Sequence, residues 1–188
     1  LNLSVLFKDG YKTRMPEILN IEPYKVLRDE TNFFTCGASA DAECRYNTYS
    51  NQKLFIIGDS HMRYLSFDLK ERVVKRGYQF IVSTLGGCLY YPGFDKVDIK
   101  TGISQEECNN EYFSKLKNKL LKEENSIIIF GGRYPLYLSG FLFDNLEGGI
   151  EDFSSDTKWK QNFVSDGKYK TLQKSFINEV SRISENNK

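Results

Sequence analysis

The fold is decided by the stretch Lys53-Leu54-Phe55-Ile56-Ile57-Gly58-Asp59-Ser60-His61, in which a continuous apolar run ends at a glycine. A run of this length is typical of a β-strand that is buried on both faces of a parallel sheet. Apolar residues then recur at steps of three and four residues, at Met62, Leu65, Leu69 and Val73. This spacing predicts a helix that follows the strand directly and ends before Gly77.

The alternation of strand and helix continues along the chain. Residues 78–83 and 126–130 predict two further strands, and a glycine pair follows each of them. The spacing of apolar residues predicts helices over 111–122 and 169–185. Residues 138–166 show no clean period and are predicted as a long loop or small insertion. Together these elements predict an α/β fold in which helices cover both faces of a parallel sheet.

Residues 1–52 differ in composition and periodicity from the rest of the chain. They are rich in proline, glycine and other loop-forming residues and show little periodicity. We therefore predict a linker or irregular covering arm over 1–52 and an α/β domain over 53–188. The chain begins with Leu1, and no strand follows the helix predicted near its end. We expect it to be a piece of a longer polypeptide, with the C-terminal part of the domain missing.

Composition excludes several classes of function. Lysine plus arginine number 26 and aspartate plus glutamate 25, with no long block of one sign, which argues against a nucleic-acid partner. The longest apolar runs are far shorter than the roughly 20 residues of a membrane-spanning helix. We expect no metal site and no cofactor, because the sequence has no C-x-x-C motif and a single histidine.

The four cysteines favour two disulfides. Two pairs are close in sequence, Cys36 with Cys44 and Cys88 with Cys108. An even number of this kind fits an oxidising compartment, although four cysteines permit three pairings. The alternative is a set of reduced, buried thiols in a cytosolic protein.

The loops that follow the strands are the expected place for chemistry, because the carboxyl ends of parallel strands form the ligand crevice in such sheets. Ser60 lies at the first turn from strand to helix, where its hydroxyl can face the crevice. Its backbone amide then lies at a helix N-terminus and can donate to a developing oxyanion. The alternative is an ordinary helix cap, since Asp59 and Ser60 are both favoured there.

The stretch 54–61 resembles block I of the SGNH hydrolase superfamily, in which the serine is the nucleophile. Two further features match one subgroup of this superfamily. A histidine directly follows the serine, and aromatic residues and a proline follow Gly87-Cys88. With the segment 7–16, they resemble the SGNH domain fused to the acyltransferase-3 membrane domain of bacterial surface-polysaccharide O-acyltransferases. The resemblance implies a three-layer, flavodoxin-like parallel sheet.

The resemblance also implies roles for individual residues. Ser60 would form the acyl-enzyme, and its amide would be one oxyanion donor. Gly87 would match the block II glycine, with Gly86 a weaker match; the alternative for this pair is a tight turn that needs positive φ. The block III asparagine is absent, and Arg133 stands near its place, where a guanidinium can stabilise an oxyanion or bind an anionic sugar. The alternative for Arg133 is a surface salt bridge.

The catalytic base departs from the family pattern. The superfamily takes it from an Asp-x-x-His motif near the C-terminus, and the sequence contains no such motif. The only histidine, His61, is adjacent to Ser60, and consecutive side chains at such a turn point apart. We therefore expect His61 to be a packing or hydrogen-bonding residue, Asp59 to be an acceptor that holds the turn, and the base to lie beyond Lys188.

Several aromatic residues lie in or beside the predicted crevice loops, namely Tyr90, Tyr91, Phe94, Tyr134 and Tyr137. Rings of this kind can stack on sugars, and the alternative is that they form the core.

The predicted function is transfer of an acyl group, expected to be acetyl, to a hydroxyl of a bacterial cell-surface polysaccharide or lipid-linked glycan. The resemblance implies two partners, a glycan acceptor and an N-terminal acyltransferase-3 membrane domain that delivers the acyl group. It also implies a periplasmic or otherwise extracytoplasmic domain of an inner-membrane protein. The alternatives are a carbohydrate acetylesterase of the same fold and a glycan-binding module that has lost its base.

Overall fold

The computed structural model describes residues 42–98, 100–139 and 163–187. These residues belong to one compact unit, Thr35–Lys188. The segment 7–16, Cys36 and most of the predicted loop 138–166 lie outside the described residues. In chain order the elements are β1 (Cys44–Tyr46), β2 (Lys53–Gly58), α1 (Ser60–Lys75), β3 (Gln79–Thr84), β4 (Phe94–Lys96), α2 (Asn110–Leu120), β5 (Ile127–Gly131), α3 (Tyr134–Ser139), β6 (Phe163–Ser165) and α4 (Leu172–Ser184).

The main sheet has four strands in the order β1-β3-β2-β5. Strand β2 lies at its centre and pairs in parallel with both β3 and β5, whereas β1 pairs antiparallel with β3. Gly58 at the end of β2 is opposite Thr84 of β3 and Gly131 of β5. The three predicted strands are therefore present, and all three end at the same edge of the sheet.

One face of the sheet packs against α2 and α4. Phe55 of β2 and Ile81 of β3 share a buried cluster with Phe113 of α2 and Ile183 of α4. All four side chains are almost fully buried. This is the largest apolar core among the described residues and holds two helices on one side of the sheet.

The opposite face packs against α1. Ile56, Phe80 and Val82 alternate in sequence with the residues of the first face and are fully buried. Met62 and Val73 are the buried apolar residues of α1, which contacts β2 and β3. Helices thus flank the sheet on both sides, and the predicted α/β class with a three-layer arrangement is confirmed.

Four short elements were not predicted. Strand β1 lies within residues 1–52, which we predicted as an irregular arm, and β6 lies in the predicted loop 138–166. Strands β4 and β6 pair antiparallel as a small second sheet, and α3 follows β5. Strands of three residues are too short to show a hydrophobic period, so sequence patterning does not reveal them.

A disulfide joins Cys88, after β3, to Cys108, before α2, across a sequence separation of 20 residues. Cys44 is also disulfide-bonded, and its predicted partner Cys36 lies outside the described residues. Among the helices that the structure describes, none combines the length and apolar character needed to cross a membrane.

Candidate active site

Three loops meet at the carboxyl edge of the parallel strands. Ser60 follows β2, the pair Gly86–Gly87 follows β3, and Arg133 follows β5. Because β2 is hydrogen-bonded to both neighbours, its loop lies between the other two. The amide of Leu85 donates to the Gly58 carbonyl at 3.0 Å, which joins the first two loops directly. The structure thus brings the loops of all three predicted site residues to one place.

Ser60 is the first residue of α1, and Asp59 is the N-cap. The cap residue has extended backbone angles, and its carboxylate accepts a hydrogen bond from the His61 amide at 2.9 Å. This is the ordinary geometry of an aspartate cap. The Ser60 amide is therefore among the first N–H groups of a helix, where the helix dipole favours negative charge.

Asp59 also joins the first loop to the third. Only 1% of the residue is exposed, and its second carboxylate oxygen accepts from the Arg133 amide at 2.9 Å. Asp59 and Arg133 lie 74 positions apart in sequence. Asp59 thus accepts hydrogen bonds from the backbone of both the first and the third loop.

His61 is oriented by Asp59. Its Nδ1 lies 3.2 Å from the Asp59 carboxylate, and 61% of the side chain is exposed. The imidazole therefore has a hydrogen-bond partner on its own turn.

Close packing at this edge requires glycine. A Cβ at Gly131 would lie 2.2 Å from the Met62 sulfur, and one at Gly132 would lie 2.7 Å from the Asp59 Cγ. Gly132 also has φ of +130°, which side chains disfavour. The glycine pair at the end of β5 therefore lets α1 and the Asp59 carboxylate approach the strand. The sequence showed the pair but not its partners.

Gly87 lies in a tight turn. The Cys88 amide donates to the Leu85 carbonyl at 3.0 Å, and Gly87, the third residue of this turn, has φ of +64°. Turns with positive φ at their third residue favour glycine. The tight-turn interpretation is thus correct, and it is compatible with an oxyanion role because the Gly87 amide takes no part in closing the turn.

The Gly87 carbonyl accepts two hydrogen bonds from side chains. Lys96 Nζ donates at 2.8 Å and the Tyr137 hydroxyl at 3.2 Å. Sequence reasoning did not find Lys96, which lies in the short strand β4 and belongs to no motif. Tyr137 was predicted beside the crevice, but as a ring for stacking on sugar.

Arg133 lies near Tyr137. Burial and then the Asp59 carboxylate raise the pKa of Tyr137 to about 12, against the opposing effect of the Arg133 guanidinium. Of these three effects on the pKa of Tyr137, burial is the largest and the charge of Arg133 the smallest. A positive charge in this position favours a nearby oxyanion.

Of the two alternatives for the aromatic residues, sugar stacking and core packing, the structure supports core packing for four of the five. Tyr90, Tyr91, Phe94 and Tyr137 are all buried. They pack on rings from other elements, for example Tyr91 on Phe163 with centroids 5.4 Å apart. Burial raises the pKa of Tyr90 and Tyr91 well above the ordinary value. These rings form the core beneath the site.

Two cavities lie near the Gly86–Gly87 turn. Gly86 lines the first, and the second is lined by Tyr137, which donates to the Gly87 carbonyl. One, of about 360 Å³, is lined by Leu85, Gly86, Gln105, Glu106, Glu107 and Cys108. The other, of about 310 Å³, includes Tyr137, Phe94, Phe163 and Gln173 in its lining. The first has polar side chains that can hydrogen-bond to a hydroxylated ligand.

Within the described part of the chain, no group of three or more histidine, cysteine, aspartate or glutamate residues could hold a metal ion.

A family model described as SGNH domain (fused to AT3 domains) matches residues 28–188. The chain belongs to this family. The resemblance predicted from residues 54–61 and 87–88 is therefore confirmed, and the AT3-fused SGNH domain is a member of a hydrolase and acyltransferase family. A search of curated proteins and a search of solved structures each found no match to the chain.

Proposed function

We propose that this AT3-fused SGNH domain transfers an acyl group, acetyl in the first instance, to a sugar hydroxyl through an ester on Ser60. The observation that carries the proposal is the meeting of three loops at one edge of the sheet. They supply a serine at a helix N-terminus, a glycine turn and an arginine. Catalytic serines of acyl-transfer enzymes need this combination of nucleophile and oxyanion donors.

The reaction has two steps. The Ser60 oxygen attacks the acyl carbonyl carbon, the bond to the donor breaks, and the leaving group takes a proton. The sugar hydroxyl then attacks the Ser60 ester, loses its proton, and releases the serine hydroxyl. In both steps the negative charge on the carbonyl oxygen is stabilised by the amides of Ser60 and Gly87 and by the charge of Arg133. Each attacking hydroxyl also requires a general base.

The acceptor is proposed to be a bacterial cell-surface polysaccharide or lipid-linked glycan. The polar cavity beside Gly86, lined by Gln105, Glu106 and Glu107, supports a hydroxylated acceptor. The acyl donor is proposed to come from an acyltransferase-3 membrane domain, which the family description supports. The Cys88–Cys108 disulfide supports an oxidising, extracytoplasmic location, proposed to be the periplasm.

The first test is the intact mass of the full-length gene product after incubation with a fluorophosphonate. We expect one adduct per chain in the parent and none in Ser60→Ala. The matched control is Ser184→Ala, which alters an exposed serine at the end of α4 and should keep the adduct. The residues that follow Ser184 bond to the start of β5, at the edge of the sheet opposite to the three loops. An adduct that persists without Ser60, or no adduct on the parent, contradicts the proposed nucleophile.

A second measurement separates transferase from esterase. The protein is given a labelled acetyl ester with and without an oligosaccharide acceptor. Label on the sugar supports the transferase, and release of acetate that the sugar does not reduce supports a carbohydrate acetylesterase. A third candidate, a glycan-binding module, would give neither product but would retain sugar binding.

A further inference from the structure

The Gly87 carbonyl is held by two side chains that no motif of the sequence identifies. We propose that Lys96 and Tyr137 are positioning residues that fix the Gly86–Gly87 turn, so that the Gly87 amide is aimed at the oxyanion. The inference rests on the proposed function, because it assigns these residues to the same site.

Three hydrogen bonds hold one peptide group, two at its carbonyl and one at its N–H. The carbonyl of the Gly87–Cys88 peptide accepts from Lys96 Nζ at 2.8 Å and from the Tyr137 hydroxyl at 3.2 Å. The N–H of the same peptide donates to the Leu85 carbonyl at 3.0 Å. Two adjacent glycines have the greatest backbone freedom of any residue pair. Holding this peptide group therefore removes much of the freedom of the turn to rotate the Gly87 amide away from the crevice.

Lys96 is itself firmly held. Its backbone amide donates to the Cys108 carbonyl at 2.9 Å, and its carbonyl accepts from the Gln105 amide at 2.8 Å. Cys108 is bonded to Cys88, the residue after Gly87. Lys96 therefore contacts both ends of the disulfide-linked segment, through its backbone at Cys108 and through its ammonium group beside Cys88.

The burial of Lys96 is costly, which argues for a specific role. Burial lowers the pKa of the Lys96 ammonium group from its ordinary value. A lysine without a specific partner normally keeps its charge in water, because removing it from water is unfavourable. Here the ammonium group is directed to a single carbonyl in the candidate oxyanion turn, and its charge lies beside the loop where negative charge would develop.

Tyr137 joins this turn to the other two loops. It lies in α3, which begins directly after Arg133, and 2% of the residue is exposed. The Arg133 amide is held by Asp59, and Asp59 caps the helix that begins at Ser60. The contacts therefore run from the Ser60 turn through Asp59 and α3 to the Gly87 turn.

The test uses Tyr137→Phe, Lys96→Met and the double variant of the full-length gene product, with p-nitrophenyl acetate as substrate. Both substitutions keep the size of the side chain and remove the hydrogen-bond donor. Losing an oxyanion donor outright typically lowers kcat about 10²- to 10³-fold, so we expect a misaligned donor to lower kcat roughly tenfold. We expect KM to change less than about twofold, because the contacts act on the transition state. The double variant should lose less than the product of the two single losses, because both donors act on one carbonyl.

The matched control is Lys53→Met. Lys53 is a partly buried lysine at the opposite end of β2, where it pairs with Glu123. This variant should lower the melting temperature without changing kcat. If Lys96→Met does not fold, the kcat of Tyr137→Phe tests the inference by itself, because this variant keeps the buried ring and is expected to fold.

The inference is overturned if kcat of the single variants equals that of the parent while the parent still forms the Ser60-dependent fluorophosphonate adduct. It is also overturned if the kcat losses are no larger than those of Lys53→Met. Failure of the parent to form the adduct is a different result and overturns the proposed function instead.

Discussion

At the scale of single residues, Asp59 and the glycines around it decide whether the site can form. The Asp59 carboxylate accepts from the amides of His61 and Arg133, so it needs to lie against the chain that leaves β5. Gly132 permits this approach, because any side chain there would overlap Asp59. A buried carboxylate with two backbone donors is a stable arrangement, whereas one that has lost a donor is costly.

Replacing Gly132 tests this requirement. We expect Gly132→Ala to lower the free energy of unfolding by about 3 kcal/mol, since overlap with Asp59 adds to the backbone strain at φ of +130°. The control is Gly102→Ala, where φ is +68° but nothing lies within 4 Å of the added Cβ. That variant should lose only about 1 kcal/mol. Urea unfolding measures both, and equal losses would contradict the requirement for close approach.

At the scale of elements, α4 is held to the domain by a buried carboxylate as well as by apolar contacts. Glu179 is fully buried and lies 2.7 Å from Lys168 Nζ, 3.6 Å from Lys117 Nζ and 3.4 Å from Arg182 Nη1. It also accepts from the Tyr169 hydroxyl. These partners come from α2, from α4 itself and from the segment between β6 and α4, so one side chain joins three parts of the domain.

The Glu179 contacts predict a pH dependence of stability. Burial raises the pKa of Glu179, but the hydrogen bonds from Lys168 and Tyr169 and the charge of Lys117 lower it more, so it lies below the ordinary 4.5. A carboxylate whose pKa is lower in the folded state contributes stability above pH 4.5, and the contribution is lost as the pH falls through the folded value.

Glu179→Gln should therefore unfold more easily at pH 7, by about 2 kcal/mol, and lose less additional stability than the parent between pH 5 and pH 3. Urea midpoints across this range measure the effect. Glu111→Gln is the control, because Glu111 is exposed on α2 and pairs there with the exposed Lys115 one helical turn away. The prediction fails if the parent and Glu179→Gln have parallel pH profiles.

At the scale of the whole molecule, the Cys88–Cys108 disulfide links the loop after β3 to the start of α2. Closing a loop of this length stabilises a protein by about 3 kcal/mol, mainly by restricting the unfolded chain. The bond also adjoins the Gly86–Gly87 turn. Its loss should therefore affect both the stability of the domain and the chemistry at its edge.

We expect the Cys88→Ser, Cys108→Ser double variant to lose about 3 kcal/mol of stability and to react more slowly with a fluorophosphonate at a temperature where it is still folded. Thermal unfolding and the rate of adduct formation are the two measurements. A variant that loses stability but labels at the parent rate would show that the disulfide does not hold the turn.

The sequence by itself determined the class of the fold and the identity of the nucleophile candidate. The apolar runs at 53–58 and 126–130, and the helical spacing after them, are local patterns. The structure contains the corresponding strands and helices because each of them buries the apolar side chains that form its pattern. The serine after the first strand and the family resemblance followed from contiguous residues. The Cys88–Cys108 pairing was favoured by its short spacing.

Only the tertiary structure decided what surrounds Ser60. The contact between Asp59 and the Arg133 amide joins residues far apart in sequence, and so does the contact of Tyr137 with Gly87. No local pattern encodes them, because they depend on β2 lying between β3 and β5. Lys96 was missed for the same reason, since a lysine in a three-residue strand has no period or motif. For the aromatic residues near the site the sequence left sugar stacking and core packing open, because burial is a property of the packed chain and not of residue type.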